Sequence, residues 1–188
     1  MVQTQRMQHT VNGVDVDALK ETISAIARQP NLGAFQFRAA NQWLGGSQNR
    51  STIKGFFGAG KEGDTRVRPF TLECDEPQIL LGKDQAPNPV EYLLSALAGC
   101  VTTTMAMHAA ARGIDIESIS SEVEGDIDVR GFLGLSDDVP RGFKAIRVTM
   151  HVKSTAPAEL LAALAQFSPV YNTLTRGVPV EVQVLPQT

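Results

Sequence analysis

The stretch 88-NPVEYLLSALAGCVTTTMAMHAAARG-113 decides the fold of this chain. Asn-Pro opens it and a glycine closes it, which are residues typical of the two ends of a helix. No residue from Tyr92 to Ala111 carries a formal charge. Near the middle lies Cys100, one of only two cysteines in the chain. The sequence therefore predicts a long apolar helix with a thiol halfway along it.

The length of this run also permits a membrane span, because about 20 apolar residues cross a bilayer. Its composition argues against one. Small residues are frequent, Ser95 and the block Thr102–Thr104 lie inside it, and no cluster of basic residues flanks it. A helix that is apolar nearly all round needs cover on every side, which one sheet cannot give. We therefore expect a soluble core helix closed by a second subunit, with one large two-sheet domain as the alternative.

Bulk composition sets the remaining limits. The chain has 188 residues, enough for one domain with a substantial core. Its net charge is −3 and no basic block occurs, so nucleic acid is not an expected partner. Two cysteines cannot form a disulfide framework and no secretory signal follows Met1, so we expect a cytoplasmic protein. The three histidines show no metal-ligand spacing, and no metal or cofactor is expected.

Hydrophobic periodicity places the other elements around this helix. The predicted segments are a helix over 16–27, strands over 34–44, 51–58 and 66–74, the long helix, strands over 117–132 and 142–154, short helices over 157–167 and 168–174, and a strand over 178–185. This order is α+β, not alternating βαβ. We expect residues 1–33 to be an N-terminal extension with one amphipathic helix, and residues 34–188 to form the main domain.

Cys100 is the candidate nucleophile. A free cysteine on an apolar helix is most often a small buried hydrophobe. The small residues directly before Cys100 leave space beside the sulfur, which a reactive thiol needs in addition to a positive or hydrogen-bonding neighbour. Glu91 lies nine residues earlier, about 13 Å along a straight helix, so it cannot be the direct base. An acid favoured by the helix dipole is its simpler interpretation.

Four further residues could assist the thiol. Cys74 ends a predicted strand and precedes two acidic residues, whose charges raise the pKa of a thiol. It could still approach Cys100 in space. Arg50, Arg66 and Arg68 lie in or beside turns, where any one could stabilise a thiolate, although solvated turn arginines are the usual case.

The run 88-NPVEYLLSALAGC-100 resembles the helix signature of the OsmC/Ohr family, the osmotically inducible and organic hydroperoxide resistance proteins. The resemblance extends from about residue 34 to residue 185. It implies an intertwined α+β homodimer whose long central helices cross in the core between β-sheets, with active sites at the subunit interface. In active members a peroxidatic cysteine attacks a hydroperoxide and becomes a sulfenic acid. A second cysteine then condenses with it, and a dithiol restores both. Cys100 matches the peroxidatic position.

Two departures from the family pattern concern the partners of that cysteine. The second family cysteine opens a short C-terminal helix in a Cys-Pro-Val-like run, and here Ser168 stands in that place. The family's catalytic acid follows the proline directly, whereas here Val90 does so and Glu91, the next residue, is the candidate for that role. Arg50 is the best match for the activating arginine. The chain is thus closest to the OsmC-like branch that lacks the second cysteine.

The sequence leads to two classes of function. The first is reduction of organic hydroperoxides in oxidative stress defence, with Cys100 as nucleophile and regeneration by an external thiol or by Cys74. The second is a non-enzymatic protein with the same fold, which binds a small apolar ligand or takes part in a stress-related interaction.

Overall fold

The computed structural model describes residues 9–63 and 65–186. The helices are α1 (Val16–Arg28), α2 (Pro89–Ala111), α3 (Val129–Phe132), α4 (Ala158–Ala165) and α5 (Pro169–Arg176), with short 3-10 turns at Pro30–Gly33 and Gln78–Leu80. The strands are β1 (Thr10–Val11), β2 (Val14–Asp15), β3 (Gln36–Phe37), β4 (Ala40–Gly45), β5 (Gln48–Ile53), β6 (Phe56–Gly58), β7 (Lys61–Gly63), β8 (Phe70–Cys74), β9 (Ile116–Ile127) and β10 (Phe143–Ser154).

The chain divides into two compact units. The first ends at Ser95 and the second begins at Ala96, so the division falls inside α2. The first unit contains α1 and strands β1 to β8, and the second contains the hairpin β9–β10 with α3, α4 and α5. This is the α+β element order that the periodicity predicts.

The first unit starts with a tight hairpin followed by α1. Asn12 and Gly13 both have positive φ, 52° and 75°, as a two-residue turn between paired strands requires. Asp15 accepts a hydrogen bond from the backbone N–H of Ala18 at 3.0 Å and so caps α1. The sequence predicts a turn at Asn12-Gly13, a cap at Asp15 or Asp17 and the helix itself, and all three are confirmed, with Asp15 as the cap. Residues 1–10 were predicted to be frayed; residues 1–8 lie outside the described residues, and Thr10 is instead paired with Asp15 in the hairpin.

The prediction of three strands between residues 34 and 74 is wrong. Six shorter strands form two antiparallel sheets, one in the order β3-β6-β7 and the other in the order β4-β5-β8. Lys54 and Gly55 interrupt what the pattern joins into one strand, and the chain passes there from one sheet to the other. Ala59 and Gly60 take positive φ and turn β6 into β7, where a loop was expected.

The second unit is built on the hairpin of β9 and β10, two strands of twelve residues each. Both alternate between half-buried and exposed residues, and Val123 pairs with Val148 across the ladder. The predicted alternation is therefore confirmed. At Gly125 a Cβ would overlap the ring of Phe143, so the glycine leaves room for this aromatic side chain.

Helix α2 packs one of its faces into the core of the second unit. Met105 and Ala109 form a buried cluster with Leu161 and Leu164 of α4. The opposite side of α2 stays exposed in the described chain, and it carries small residues and a methionine: Ala96, Gly99, Thr103 and Met107. Among the described residues, α2 is also the one helix long and apolar enough to cross a membrane by length and composition. The full cover predicted for this helix is thus not supplied by one copy of the described chain.

Two further strand predictions are also wrong. The strand expected to run to residue 132 ends at Ile127, because Asp128 accepts a hydrogen bond from the backbone N–H of Arg130 and starts α3. The strand expected over 178–185 does not form. A strand needs a neighbour to satisfy its backbone hydrogen bonds, and no strand in the described chain pairs with this segment. Its apolar residues are exposed: Val178, Val180, Val182, Val184 and Leu185.

Candidate functional site

Cys100 lies half-buried in the middle of α2. Leu97 and Val101 on its two sides are buried, whereas Gly99 is exposed. A Cβ added at Gly99, which points about 100° around the helix from the thiol, would meet no atom within 4 Å in the described chain. Within the described residues no side chain forms a hydrogen bond or ion pair with the Cys100 thiol. In the described chain, Cys100 is therefore a free and partly exposed thiol.

Glu91 belongs to a capping box at the start of α2. Its carboxylate accepts a hydrogen bond from the backbone N–H of Asn88 at 2.8 Å, and the Asn88 side-chain oxygen accepts one from the backbone N–H of Glu91 at 2.9 Å. This reciprocal pair satisfies backbone donors that a helix start leaves open. Glu91, which was predicted as a catalytic candidate, thus makes hydrogen bonds that position the start of α2. The Asn-x-x-Glu spacing in the sequence was the signal that could have identified the box.

The end of strand β8 holds the first turn of α2. The hydroxyl of Tyr92 donates to the backbone oxygen of Glu73 at 2.8 Å. The side-chain amide of Asn88 donates to the Glu76 carboxylate at 3.2 Å. These two contacts join residues on both sides of Cys74 to the helix that carries Cys100, so the direction of the helix start is fixed by strand β8.

Asp75 organises the loop between β8 and α2, and the sequence did not single it out. Its buried carboxylate accepts hydrogen bonds from the Ser47 hydroxyl at 2.7 Å and from the backbone N–H groups of Glu76, Lys83 and Gln85. The hydroxyl, followed by the backbone donors, lowers the pKa of Asp75 to about 2, although burial opposes the shift. The carboxylate that holds this loop together is therefore ionised at neutral pH.

Cys74 is buried, with 8% of its surface exposed. Burial raises the pKa of its thiol, and the charges of Glu73 and Glu76 raise it further. The predicted direction is confirmed, but burial comes first among the causes and Glu73 stands where Asp75 was expected. Adjacent residues of a strand point to opposite faces, so the sequence did not indicate that the charge of Glu73 would act on the Cys74 thiol. Burial and the raised pKa both oppose formation of the Cys74 thiolate.

The three candidate arginines have different settings. Arg50 lies on β5 directly opposite Glu73, and its Nε donates to that carboxylate at 2.6 Å. Arg66 lies between two aromatic rings, 5.2 Å from the ring centre of Phe56 and 5.3 Å from that of Phe70. Arg68 is exposed and forms no ion pair within the described residues. The best family match, Arg50, therefore already has a carboxylate partner.

Ser168, at the position of the second family cysteine, is fully buried. Its hydroxyl oxygen accepts a hydrogen bond from the backbone N–H of Tyr171 at 3.2 Å and so caps α5. Serine is among the preferred residues at this position of a helix. Ser168 thus acts as a structural cap in this chain.

His108 lies in the second unit, eight residues after Cys100, and its ring contacts Phe167 and Arg112. Its ring stacks on Phe167 with centres 4.3 Å apart, and Arg112 approaches its Nδ1 at 3.1 Å. Since arginine can only donate, Nδ1 is the acceptor and the ring proton lies on Nε2. Burial, and next the charge of Arg112, lowers the pKa of His108. Among the described residues, no group of three His, Cys, Asp or Glu side chains could hold a metal ion.

Several solved structures have a fold similar to that of this chain. The chain is similar to the crystal structure of an OsmC-like protein from Mycoplasma pneumoniae (TM-score 0.57, 20% identity, covering 76% of this chain and 89% of that one). It is also similar to a Psychrobacter arcticus structure described as an osmotic stress induced and detoxification response protein (0.54, 17%, 72% and 85%). A third is an OsmC-like protein of unknown function from Vibrio cholerae (0.52, 12%, 73% and 92%).

These identities are low enough that the structures establish the fold alone, which is OsmC-like and α+β. No curated protein matches the chain. The model of the family described as OsmC-like protein matches residues 82–183, which is more than half of the sequence and includes the whole of α2. The chain therefore belongs to the OsmC-like family.

Proposed function

We propose that this protein reduces organic hydroperoxides with Cys100 as the nucleophile. The thiolate attacks the terminal oxygen of the O–O bond, which releases the alcohol after the leaving alkoxide takes a proton and leaves a sulfenic acid on Cys100. A first external thiol condenses with the sulfenic acid and releases water. A second external thiol then displaces the mixed disulfide, which restores the Cys100 thiol and yields an oxidised disulfide of the reductant.

The observation that carries the proposal is the position of Cys100. It lies on the helix that bears the family signature, and it is only half-buried in the described chain. The hydrophobic surroundings suit a substrate with an apolar organic group over a fully hydrated one. The arrangement also leaves the thiolate without a stabilising partner in the described chain, so the proposal requires one from the substrate or from a second subunit.

An external thiol is the proposed reductant, and Cys74 is the alternative resolving partner. Burial and two nearby glutamates raise the pKa of Cys74, so little thiolate forms there at neutral pH. Ser168 cannot form a disulfide. A search for a peptide cross-linked through Cys74 and Cys100 after peroxide treatment separates the two routes, since the external route predicts that no such peptide forms.

For the other candidates we propose supporting roles. Glu91 orients the first turn of the reactive helix through its capping box with Asn88. Arg50 acts through Glu73, the residue whose backbone holds Tyr92. Loss of either side chain should then affect the stability of α2 before it affects the chemical step.

We further propose that the active form is a cytoplasmic homodimer, with residues 34–188 as the family domain and residues 1–33 as an extension. Two free cysteines fit a reducing compartment. Several apolar surfaces of the described chain are exposed, and two of them lie in the second unit: the small-residue side of α2, and the segment after α5, where Val180 and Val182 are each 82% exposed. A second copy of the chain that packs against these two surfaces would bury their apolar residues. Light scattering should give twice the chain mass, and Val182→Lys should shift it toward the monomer.

The decisive experiment measures turnover of cumene hydroperoxide with a dithiol reductant. The wild-type protein should consume the peroxide catalytically, whereas Cys100→Ser should not. Circular dichroism of both proteins controls for folding. Equal turnover in the two proteins, or none in either, would refute the enzymatic function and favour the non-enzymatic alternative.

A further inference from the structure

The first unit carries an exposed row of aromatic rings that ends on a single arginine. Phe35 and Phe37 stack with ring centres 6.0 Å apart, and Phe37 lies 5.8 Å from Phe56. Arg66 follows, held between Phe56 and Phe70. We call these five side chains the aromatic row. Phe35 is 51%, Phe37 72% and Phe70 58% exposed, which is far more than phenylalanine usually shows in a folded domain.

The strands explain how the row forms. Phe37 and Phe56 are directly paired across β3 and β6, while Phe70 begins β8 in the other sheet. Arg66 lies in the connection between β7 and β8 and bridges the two sheets. A guanidinium between two ring faces is stabilised by their negative electrostatic potential and loses much of its freedom. The position of the positive charge is therefore fixed before any ligand binds.

The charge of Arg66 is not neutralised by the described residues. One of its N–H groups donates to the backbone oxygen of Lys54 at 3.2 Å, which is a neutral acceptor. The acid of β7, Glu62, is instead held by Arg38 through two contacts of 2.9 Å. No acidic side chain within the described ranges pairs with Arg66. A guanidinium has five donors, so several remain for an anion.

The local charge also favours an anion. Between Ser51 and Phe70 the sequence has four basic residues and two acidic ones, whereas the whole chain has a net charge of −3. A single fixed arginine suits one carboxylate, which a guanidinium binds through two parallel hydrogen bonds. The adjoining phenylalanines offer an apolar track and no further charge, so the matching ligand has one negative end and a hydrocarbon body.

We propose that the aromatic row binds an amphipathic carboxylate of the fatty-acid class, with the carboxylate on Arg66 and the hydrocarbon chain along Phe56, Phe37 and Phe35. This goes beyond the proposed peroxide chemistry, because it uses residues of the first unit alone and no thiol. Binding is noncovalent. The chain would then carry a lipid-derived anion whether or not it is an enzyme.

Calorimetric titration of the full chain with dodecanoate, below its micelle concentration, tests the site. We expect saturable binding to the wild-type protein. Arg66→Gln should weaken it at least about tenfold, since a charge-assisted pair is lost. Arg68→Gln removes the same charge two residues away and should leave binding unchanged. Phe37→Ala should weaken binding, whereas Val67→Ala, which trims another exposed apolar residue nearby, should not.

Ligand variation completes the test. Butanoate should bind far more weakly, because each buried methylene contributes up to about fourfold in affinity. Dodecyltrimethylammonium has the same tail with the opposite charge and should not compete. Absence of dodecanoate binding, equal losses in Arg66→Gln and Arg68→Gln, or equal binding of the cationic amphiphile would each overturn the proposal. So would light scattering in which Phe37→Ala converts a dimer into a monomer, because a second copy would then cover the row.

Discussion

The end of strand β8 and the middle of helix α2 carry one cysteine each, in opposite settings. Cys74 is buried, and burial together with two glutamates raises the pKa of its thiol. Cys100 is half-buried between small and apolar residues, with open space at Gly99. Burial and charge thus oppose thiolate formation at Cys74, whereas Cys100 keeps part of its surface exposed. Burial and nearby charge, and not the presence of a thiol, separate an inert cysteine from a candidate nucleophile.

The residues around the two cysteines differ in a second way. Glu73, Asp75 and Glu76 make many polar contacts that organise the loop and the start of α2. The neighbours of Cys100 make few. The segment near Cys74 therefore anchors the start of α2, and we propose that the segment near Cys100 serves the chemistry. This division of tasks can be tested by perturbing each side separately.

The largest expected effect is on catalysis. Cys74→Ser should retain most of the peroxidase activity, whereas Cys100→Ser should lose about a hundredfold or more, because a hydroxyl is a poor nucleophile toward peroxide. Steady-state turnover of cumene hydroperoxide with dithiothreitol measures both. If Cys74→Ser lost activity as strongly while its fold remained intact, the two cysteines would act together and the comparison would fail.

The next effect is on thiol reactivity without peroxide. Alkylation by iodoacetamide at neutral pH, followed by peptide mass spectrometry, should modify Cys100 well before Cys74. Each unit by which the pKa of Cys74 is raised lowers its thiolate fraction about tenfold, and burial restricts access further. In a denaturant the two rates should converge. Faster labelling of Cys74 in the folded protein would contradict the assignment.

A stability effect is expected at Asp75. Asp75→Asn removes the charged acceptor of four hydrogen bonds and should lower the melting temperature by about 5 °C. The folded pKa is depressed to about 2, so the charge stabilises the fold above about pH 4 and this benefit disappears as the pH falls toward 2. The difference between wild type and variant should shrink over that range.

Asp84→Asn is the matched control for that experiment. Asp84 lies in the same loop, is exposed, and has a positive φ that asparagine tolerates. It changes the net charge equally and should leave both the melting temperature and its pH dependence nearly unchanged. A pH-independent difference between wild type and Asp75→Asn would show that the carboxylate charge is not the stabilising element.

The smallest effect concerns the capping box. Glu91→Ala should cost about 1 kcal/mol in the free energy of unfolding, measured by urea titration. Glu159→Ala removes an acid from the first turn of α4, where a proline and no side-chain cap begins the helix, and should cost less. If Glu91→Ala reduces turnover far more than this stability loss explains, Glu91 has a direct part in the chemistry.

Local signals made much of the fold predictable. The charge-free run gave the extent of α2, and strict alternation gave β9 and β10. Asp15 and the Asn12-Gly13 pair gave the start of α1, since caps and tight turns depend on a few adjacent residues. Cys100 was identifiable because its position within α2 and its small neighbours are both visible in the sequence.

What could not be predicted depends on contacts between distant residues. Residues 178–185 alternate as well as β10 does, yet a strand requires a partner and the described chain provides none. The N-terminal strands are short because pairing, and not alternation, sets where the chain changes sheet. The raised pKa of Cys74 depends on its burial and on the charge of Glu73. The loop after Cys74 depends on a hydrogen bond from Ser47 to Asp75, which lie 28 residues apart in the sequence. A group that stabilises a Cys100 thiolate would also lie far from Cys100 in the sequence, so local patterns cannot identify it.

Direct trapping of the oxidised thiol tests the central claim. The protein is treated with one equivalent of cumene hydroperoxide without reductant, in the presence of dimedone, and digested for mass spectrometry. We predict a dimedone adduct on the peptide that contains Cys100 and an unmodified thiol at Cys74. An adduct confined to Cys74, or no sulfenic acid at either cysteine while the peroxide is still consumed, would contradict the assignment of Cys100 as the nucleophile.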